Sequence, residues 1–188
     1  MNGTVLEGEL SYNWKAEIVQ FRQGGAIKAY SAHQIQSFRF FDNGLNTIRT
    51  FVAFDYPVKP ALRRPVFLEE CIRGTLTVYR RLRHRRDPIP VVTPSAYGTD
   101  EGLISDIDNF TYYVVDADHV LDLDGFLRNL WPRLRGEYGD ELTRYVGSLH
   151  MDLDNTLARL LLINQYNTLK MIAAETALSE ANTVSIGQ

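Results

Sequence analysis

Hydrophobic and polar residues alternate along the first half of the chain, in short runs that are separated by turn residues. Side chains of a strand point alternately to its two faces, so a run with a period of two predicts a half-buried β-strand. Such runs occupy residues 4–12, 17–22, 26–30, 35–41, 46–54, 66–72 and 75–82. Seven short strands joined by tight turns predict an antiparallel meander, either a strongly curved sheet or a small barrel.

Glycine-containing dipeptides mark the turns between these runs. Gly24-Gly25 is a strong hairpin signal, and Asn43-Gly44 is the best candidate for a type I′ turn. Arg73-Gly74 predicts a two-residue turn in which Gly74 adopts a positive φ. Three prolines are expected to interrupt regular pairing before the last hairpin, namely Pro57, Pro60 and Pro65.

The last predicted hairpin, residues 63–86, holds eight of the sixteen arginines of the chain. With a two-residue turn, Leu76, Val78 and Leu82 share one strand face with Arg80. Glu69 and Glu70 then lie close enough to the arginines to offset part of their charge. Cys71 would lie opposite Leu76, and as a free cysteine it is expected to be a small buried strand residue.

The second half of the chain changes to the 3.6-residue period of helices. Residues 110–115 predict an eighth strand, and Asp124 is a candidate N-cap for the first helix. Apolar residues at helical spacing predict helices over about residues 125–134 and 137–149, and a third from about residue 154. Pro132 is an awkward residue for the first of these helices.

These elements predict an α+β fold with a specific domain organisation. Residues 1–86 form the antiparallel meander, which has about seven or eight strands when the later strand is included. Residues 87–173 form a linker, the extra strand and about three helices, packed on the meander as one compact unit. Residues 174–188 are rich in small and polar residues and are predicted to be a disordered tail.

Charge is distributed in two opposite blocks. Residues 63–86 carry eight arginines and two glutamates, whereas residues 87–127 carry nine acids and no lysine or arginine. A basic hairpin with an interleaved aromatic side chain could bind phosphates. The candidate binding residues are Tyr79, Arg80, Arg81, Arg83, Arg85 and Arg86. The favoured interpretation is different: the acidic segment folds back and neutralises the arginines, because the whole chain has a net charge of −3. Nucleic acid is therefore not the expected partner.

Metal and catalytic motifs are weak in this sequence. Four D-x-D pairs lack the further ligands of a calcium loop and are interpreted as loop carboxylates and helix caps. The four histidines lack zinc-ligand spacing, and no phosphate-binding glycine motif is present. Cys71 is the one plausible nucleophile, without an identifiable base. The sequence therefore predicts neither a cofactor nor an enzyme.

Membrane and export signals are also missing from the sequence. No apolar run approaches the roughly 20 residues that a transmembrane helix needs. The first residues run directly into a strand pattern, without the charged and apolar regions of a signal peptide.

Four segments together resemble an uncharacterised family of bacterial envelope-associated proteins. They are GTVLEGELSYNW, YSAHQIQSFRFFD, RPVFLEECIRGTLTVYRRLR and LLLINQYNTLK, within residues 3–170. In that family a T-x-x-x-G-E strand, here Thr4 to Glu9, leads into a β-meander, and the helical end closes on a Tyr-Asn pair, here Tyr166-Asn167. The resemblance implies an exported or periplasmic protein with no assigned activity, although this sequence shows no leader. It implies structural motifs and no active-site residue.

The resulting functional hypothesis is a non-catalytic binding or structural module of the bacterial cell envelope, with a protein or other envelope component as its partner. The alternative is a nucleic-acid-associated protein that uses the basic segment from Arg80 to Arg86.

Overall fold

The computed structural model describes residues 4–59, 62–83, 106–117 and 119–185. Within these ranges it contains nine strands and three α-helices, with the helices at the C-terminal end, which confirms the predicted α+β class. The strands are β1 Glu9–Asn13, β2 Ile18–Gln23, β3 Ala26–Tyr30, β4 Ser37–Asp42, β5 Thr47–Lys59, β6 Leu62–Ile72, β7 Thr77–Leu82, β8 Phe110–Asp116 and β9 His119–Asp122. The helices are α1 Phe126–Asn129, α2 Trp131–Ser148 and α3 Thr156–Ser185.

The strands form two sheets in which neighbours follow the order of the chain. One sheet has the order β1-β2-β3, and the other has the order β4-β5-β6-β7-β8-β9. This order is the meander that the alternating pattern predicts. The pattern does not predict the division of the strands into two sheets.

The described residues also group into two compact units. The first draws on residues up to Glu70 and from Arg80 to Phe110, and the second on Cys71–Tyr79 and on residues from Thr111 onward.

Two of the three predicted turns differ from their prediction. Gly24 and Gly25 have φ values of 56° and 85°, as a glycine hairpin turn requires. The β4–β5 connection is instead a four-residue loop, 43–46, in which Asn46 rather than Gly44 has a positive φ. Asp42 stabilises this loop, because its carboxylate accepts hydrogen bonds from the backbone N–H groups of Gly44 at 3.0 Å and Leu45 at 3.2 Å.

Regular pairing continues past Pro65, so the predicted interruption is wrong there, whereas at Pro57 the ladder is interrupted as predicted. Pro57 pairs with Arg63 and Pro65 pairs with Asp55, and a register shift follows between Pro57 and Lys59. Pro57 is tolerated because β4 pairs only with the first part of β5, up to Val52. Pro60 lies outside the described residues.

The connection between β6 and β7 is also longer than predicted, because it spans the four residues 73–76. Gly74 has no positive φ, and its role is to leave space: a Cβ at this position would lie 2.4 Å from Cγ of Asn167. The Asn167 side chain accepts from the backbone N–H of Leu76 at 2.9 Å and donates to its C=O at 2.8 Å. A helical side chain thus provides the backbone hydrogen bonds that a two-residue turn would have made internally.

Cys71, at the end of β6, is exposed rather than buried, which corrects the prediction. The predicted buried face of β7 is confirmed, since Leu76, Val78 and Leu82 are all buried. Cys71 lies just before the displaced turn, and the face alternation assumed for a two-residue turn does not hold at this end of β6.

Aromatic rings form the core of the first unit. The rings of Phe38 and Phe51 stack with centroids 4.6 Å apart, and that of Tyr12 lies 4.8 Å from that of Phe51. Phe38 pairs with Phe51 across β4 and β5, and Phe51 pairs with Glu69 across β5 and β6. Directly opposite residues of antiparallel strands share a face, so a carboxylate is placed on the aromatic face of this sheet.

The helices begin and end at positions other than those predicted. The first predicted helix divides at Leu130 into α1 and α2, which places Pro132 in the first turn of α2, where its missing N–H costs nothing. Tyr138, between Gly136 and Gly139, interrupts α2 with a φ of −137° and a ψ of 45°. Asp122, not Asp124, caps the short 3₁₀ turn before α1, by accepting from the N–H of Asp124 at 2.8 Å.

Helix α3 extends much further than the sequence indicates. Asn155 caps its start by accepting from the N–H of Leu157 at 2.8 Å. The backbone stays helical to Ser185, although residues 171–179 are all exposed and a tail had been predicted from residue 174. Methionine, alanine and glutamate are strong helix formers, so this stretch is helical without burial.

Replacement of Asn167 by alanine is expected to destabilise the second unit. Leu76 is fully buried, and the change leaves its N–H and C=O without their partners. An unsatisfied buried polar group costs about 1–3 kcal/mol, so the free energy of unfolding should fall by about 2–4 kcal/mol in urea denaturation. Asn164→Ala, one turn earlier on an exposed position of the same helix, is the matched control and should change it little. Equal losses for both variants would refute the role of Asn167.

Candidate functional site

Strand β7 presents two of the six candidate binding residues to opposite faces of its sheet. Arg80 and Arg81 are consecutive, so their side chains leave the strand in opposite directions. Tyr79 is half-buried, and Arg83 is exposed just after the strand ends. Arg85 and Arg86 lie outside the described residues. The six residues therefore do not form one described patch.

Glu69 holds two arginines of the first unit together. One carboxylate oxygen accepts from Nε of Arg80 at 2.5 Å, and the other accepts from Nε of Arg49 at 2.7 Å. Glu69 and Arg49 are 5% and 3% exposed. The sheet register explains the meeting, because Glu69 pairs with Phe51 and Arg49 is two residues from Phe51 on the same strand face. This group of Asp42, Arg49, Glu69 and Arg80 is called the Glu69 cluster below.

Arg49 completes the Glu69 cluster on its other side. Its Nη1 donates to Asp42 at 3.0 Å, and its guanidinium carbon lies 4.8 Å from the centroid of the Trp14 ring and 5.5 Å from that of Phe51. Nη2 of Arg49 is buried without a hydrogen-bond partner. The electron-rich ring faces beside it attract the cation and offset this missing bond.

The cluster is electrically balanced, with two arginines and two carboxylates. Burial opposes ionisation of Asp42, but the hydrogen bond from Arg49 and those from the loop N–H groups outweigh it and hold the pKa of Asp42 below its usual value. Arg80 is covered on its other side by Phe110, whose ring centroid lies 4.1 Å from the guanidinium carbon. Buried charges that are paired in this way stabilise one arrangement and would be costly to separate.

Arg81 is engaged on the opposite face of β7. Its Nε donates to Glu17 at 2.8 Å, and its guanidinium carbon lies 4.9 Å from the centroid of the Tyr56 ring. Arg64 approaches the other oxygen of Glu17 at 3.4 Å. Glu17 lies in the β1–β2 turn with a φ of 54°, a left-handed conformation that few glutamates adopt. The turn accepts this conformation and places the carboxylate against two arginines of β6 and β7.

Tyr12 belongs to the same aromatic core, and the pKa of its hydroxyl is raised. Burial is the main cause, and the charge of Glu17 adds to it, so the pKa of Tyr12 lies far above its usual value. Its hydroxyl therefore stays protonated at neutral pH.

Glu17 and Glu69, which pair with Arg64, Arg80 and Arg81 among the described residues, precede the acidic segment. Asp116 pairs with Arg133 of α2. Asp87, Asp100 and Glu101 lie outside the described residues, so their pairing stays a prediction.

The D-x-D pairs act as local caps, as predicted, in three places. Asp106, Asp122 and Asp152 each accept a hydrogen bond from the N–H two residues later, at 2.8–2.9 Å. In the fourth pair, Asp118 is not described. Across the part of the chain that the structure describes, no three acidic, histidine or cysteine side chains group as metal ligands.

A second ionic cluster joins α2 and α3 in the second unit. Glu137 accepts hydrogen bonds from the Tyr166 hydroxyl at 2.9 Å and from Lys170 at 2.5 Å. Tyr138 follows Glu137 at the kink of α2, and its ring meets that of Tyr166 edge to face at 5.7 Å. The hydrogen bond from Lys170 is the main cause that holds the pKa of Glu137 below its usual value. Burial, followed by the hydrogen bond to Glu137, raises the pKa of Tyr166.

The residues that carry the resemblance have structural roles in this arrangement. A Cβ on Gly8 would lie 2.5 Å from the backbone oxygen of Arg22, so the T-x-x-x-G-E glycine permits the chain just before β1 to approach β2. Tyr166 and Asn167 bind α2 and the β6–β7 connection, respectively.

Sequence reasoning did not select Asp42, Arg49 or Glu17. Arg49 carried one usable signal, because it lies on the same strand face as Phe51 and Ala53, where a charged residue needs a buried partner.

Comparison with known proteins found no matching family model, no matching curated protein and no matching solved structure. Among the described helices, none has the length and apolar character that a membrane crossing requires.

The Glu137 cluster predicts a specific pH dependence of stability. Because the folded pKa of Glu137 is below the ordinary value of 4.5, its contribution is complete above that pH and is lost as the pH falls through the folded pKa. Glu137→Gln should therefore reduce the loss of unfolding free energy between neutral pH and about pH 3, as measured by urea denaturation across this range. Glu141→Gln, exposed on the same helix, is the control and should keep the wild-type pH profile. Identical profiles for wild type and Glu137→Gln would contradict this role.

Proposed function

We propose that this chain is a non-catalytic binding or structural module of the bacterial cell envelope, in which the arginine-rich hairpin is an internal framework. One observation carries the proposal: the side chains of Arg80 and Arg81 leave β7 on opposite faces, and each forms an ion pair with a glutamate of the same unit. The side chains of the two arginines are only 15% and 12% exposed.

The geometry of the two arginines leaves little of either guanidinium for a ligand. Arg80 lies between the Glu69 carboxylate and the Phe110 ring, and Arg81 lies between the Glu17 carboxylate and the Tyr56 ring. Binding of a polyanion depends on accessible cations that release counterions when phosphates approach. Arginines that are already neutralised and covered contribute little to such binding.

The ionisations support a structural role more than acid–base chemistry. General acid or base catalysis works best with a pKa near the operating pH. The shifted pKa values among the described residues all lie further from neutral pH than the ordinary values. Those of Asp42 and Glu137 are lowered, and those of Tyr12, Tyr166 and Lys170 are raised. Their partners hold them in one protonation state, as a framework requires.

The envelope location rests on the motif resemblance of residues 3–170. The motif residues Gly8, Tyr166 and Asn167 all have packing or hydrogen-bonding roles, which agrees with a resemblance that concerns architecture. Fractionation of cells that express the native gene tests this part of the proposal, which expects the protein with the envelope or periplasmic material. Recovery in the cytoplasmic fraction would overturn the location.

Association with nucleic acid is the alternative, and exposed Arg83 is the observation that favours it. Its backbone N–H is fixed by the C=O of Asn109 at 2.8 Å, which leaves the side chain at the surface. Among the candidate binding residues that the structure describes, Arg83 is the exposed one, and a single arginine supplies a single phosphate contact, whereas measurable single-strand binding combines several cations with stacked aromatic rings.

The two functions predict opposite behaviour for Arg81 and Arg83. Under the proposed function, Arg81→Gln lowers the free energy of unfolding by about 1–3 kcal/mol, because Glu17 loses a charged partner. Arg83→Gln is the matched control and leaves it unchanged. Neither variant, nor the wild type, should bind a labelled single-stranded oligonucleotide in fluorescence anisotropy between about 50 mM and about 200 mM salt. Binding with a steep salt dependence that both substitutions weaken would overturn the proposal in favour of the alternative.

A further inference from the structure

Strand β4 forms an open edge of the six-stranded sheet. It pairs with β5 on one side and is the first strand in the sheet order. Among the described strands it is, at six residues, the longest of the four that lie at a sheet edge, since β1 and β3 have five and β9 has four. Its pairing with β5 is continuous from Ser37 to Asp42, and it contains no proline. A proline or a bulge commonly protects a sheet edge from pairing, and β4 has neither, although it carries the charge of Arg39.

The hydrogen-bond pattern identifies which residues of β4 face outward. The N–H of Ala53 donates to the C=O of Gln36 at 2.6 Å, one step before the first pair of the ladder, Ser37 with Val52. Backbone groups of an antiparallel strand alternate between its two sides. The N–H and C=O groups of Ser37, Arg39 and Phe41 therefore point away from β5. In the part of the chain that the structure describes, these groups have no hydrogen-bond partner.

The side chains along this edge are exposed and chemically complementary. Arg39 and Phe41 emerge on one face of the sheet, and Phe41 is 53% exposed. Ile48 lies directly opposite Phe41 on β5 and is 62% exposed. The nearby carboxylate of Asp42 is turned to Arg49 and to the loop, so it does not neutralise Arg39. The edge thus carries a cation and an aromatic ring two residues apart.

We infer that β4 pairs antiparallel with β4 of a second copy of this chain, with Arg39 opposite Phe41 of that copy. A two-fold axis at Phe40 then places the reverse pair at an equal distance on the other side. Each arginine meets an aromatic ring across the strands, and the outward backbone groups of Arg39 and Phe41 form the hydrogen bonds. This contact uses a surface remote in sequence from the arginine-rich hairpin and goes beyond the proposed function.

The neighbouring registers are less favourable for physical reasons. Only registers that place outward residues opposite outward residues can form the ladder, which leaves shifts of two residues. A shift in one direction sets Arg39 against Arg39, and like charges directly opposite destabilise a strand pair. A shift in the other direction sets Phe41 against Phe41 and places Arg39 opposite the loop residue Asn43. The register with Arg39 opposite Phe41 is the one that matches both side chains.

Sedimentation equilibrium of the whole chain tests whether the dimer forms. The wild type should show a monomer–dimer equilibrium that shifts to dimer as the protein concentration rises, since a short edge contact is weak. Arg39→Gln removes two cation–aromatic pairs per dimer and should lower the association constant about five- to thirty-fold. Lys28→Gln, which removes an exposed cation from the edge strand β3, is the matched control and should leave it unchanged. A wild type that stays monomeric at all concentrations would overturn the inference.

Disulfide cross-linking tests the register itself. Cysteine is placed at position 39 or 41 in a Cys71→Ser background, which removes the native exposed thiol. Directly paired residues lie about 5.5 Å apart between Cα atoms, within the range that a disulfide spans. Under mild oxidation, a mixture of Arg39→Cys and Phe41→Cys proteins should cross-link faster than either protein alone. Faster cross-linking of either protein alone would show another register and refute the assignment. Circular dichroism of both variants confirms that each is folded.

Discussion

The first unit depends on the pairing of the buried Glu69 carboxylate with two arginines. It lies on the aromatic face of the sheet, almost without solvent, and binds Arg49 through one oxygen and Arg80 through the other. Removing such charges from water costs several kcal/mol per ion, and only close pairing with further hydrogen bonds recovers this cost. Asp42, the Trp14 ring and the Phe110 ring supply that additional compensation. The rings and the ions are therefore parts of one packed core.

This arrangement shows how several of the arginines are accommodated in a chain of net charge −3. Arginine suits the core because its planar group can donate to two carboxylates while its faces lie on aromatic rings. Arg49 does both, with Glu69, Asp42 and Trp14 around it. Arg81 combines one carboxylate, that of Glu17, with the Tyr56 ring on the other face of β7. Arg80 and Arg81, two of the arginines that would suit a phosphate ligand by composition, are thus paired with glutamates of their own unit.

The alternating and helical periods of the sequence located eight of the nine described strands, and the helical region after them, in the correct order, because each period reflects burial of one face; they missed β9. They were not sufficient for the turns, where the deciding hydrogen bonds come from side chains. Asp42 accepts the hydrogen bonds that shape the loop at Asn43-Gly44. Asn167, which binds the β6–β7 connection, lies 91 positions after Leu76 in the sequence. No local pattern contains such a partner.

The candidate site was predictable to a similar extent. Glu69 was expected near the arginines because its strand adjoins theirs, and that expectation is confirmed for Arg80. Glu17 and Arg49 come from other strands or turns, so their meeting with the hairpin depends on tertiary register and on the conformation of one turn. The tail predicted from residue 174 is helical to Ser185 for a different reason, since its composition resembles that of disordered tails although its helix propensity is high.

A double-mutant cycle between Glu69 and Arg80 tests the central claim most directly. Unfolding free energies in urea would be measured for the wild type, Glu69→Gln, Arg80→Met and the double variant. If the two charges form one buried framework, the double variant loses less stability than the sum of the single variants, with a coupling energy of about 1–3 kcal/mol. Losses that add to within about 0.5 kcal/mol would show independent side chains and contradict the account.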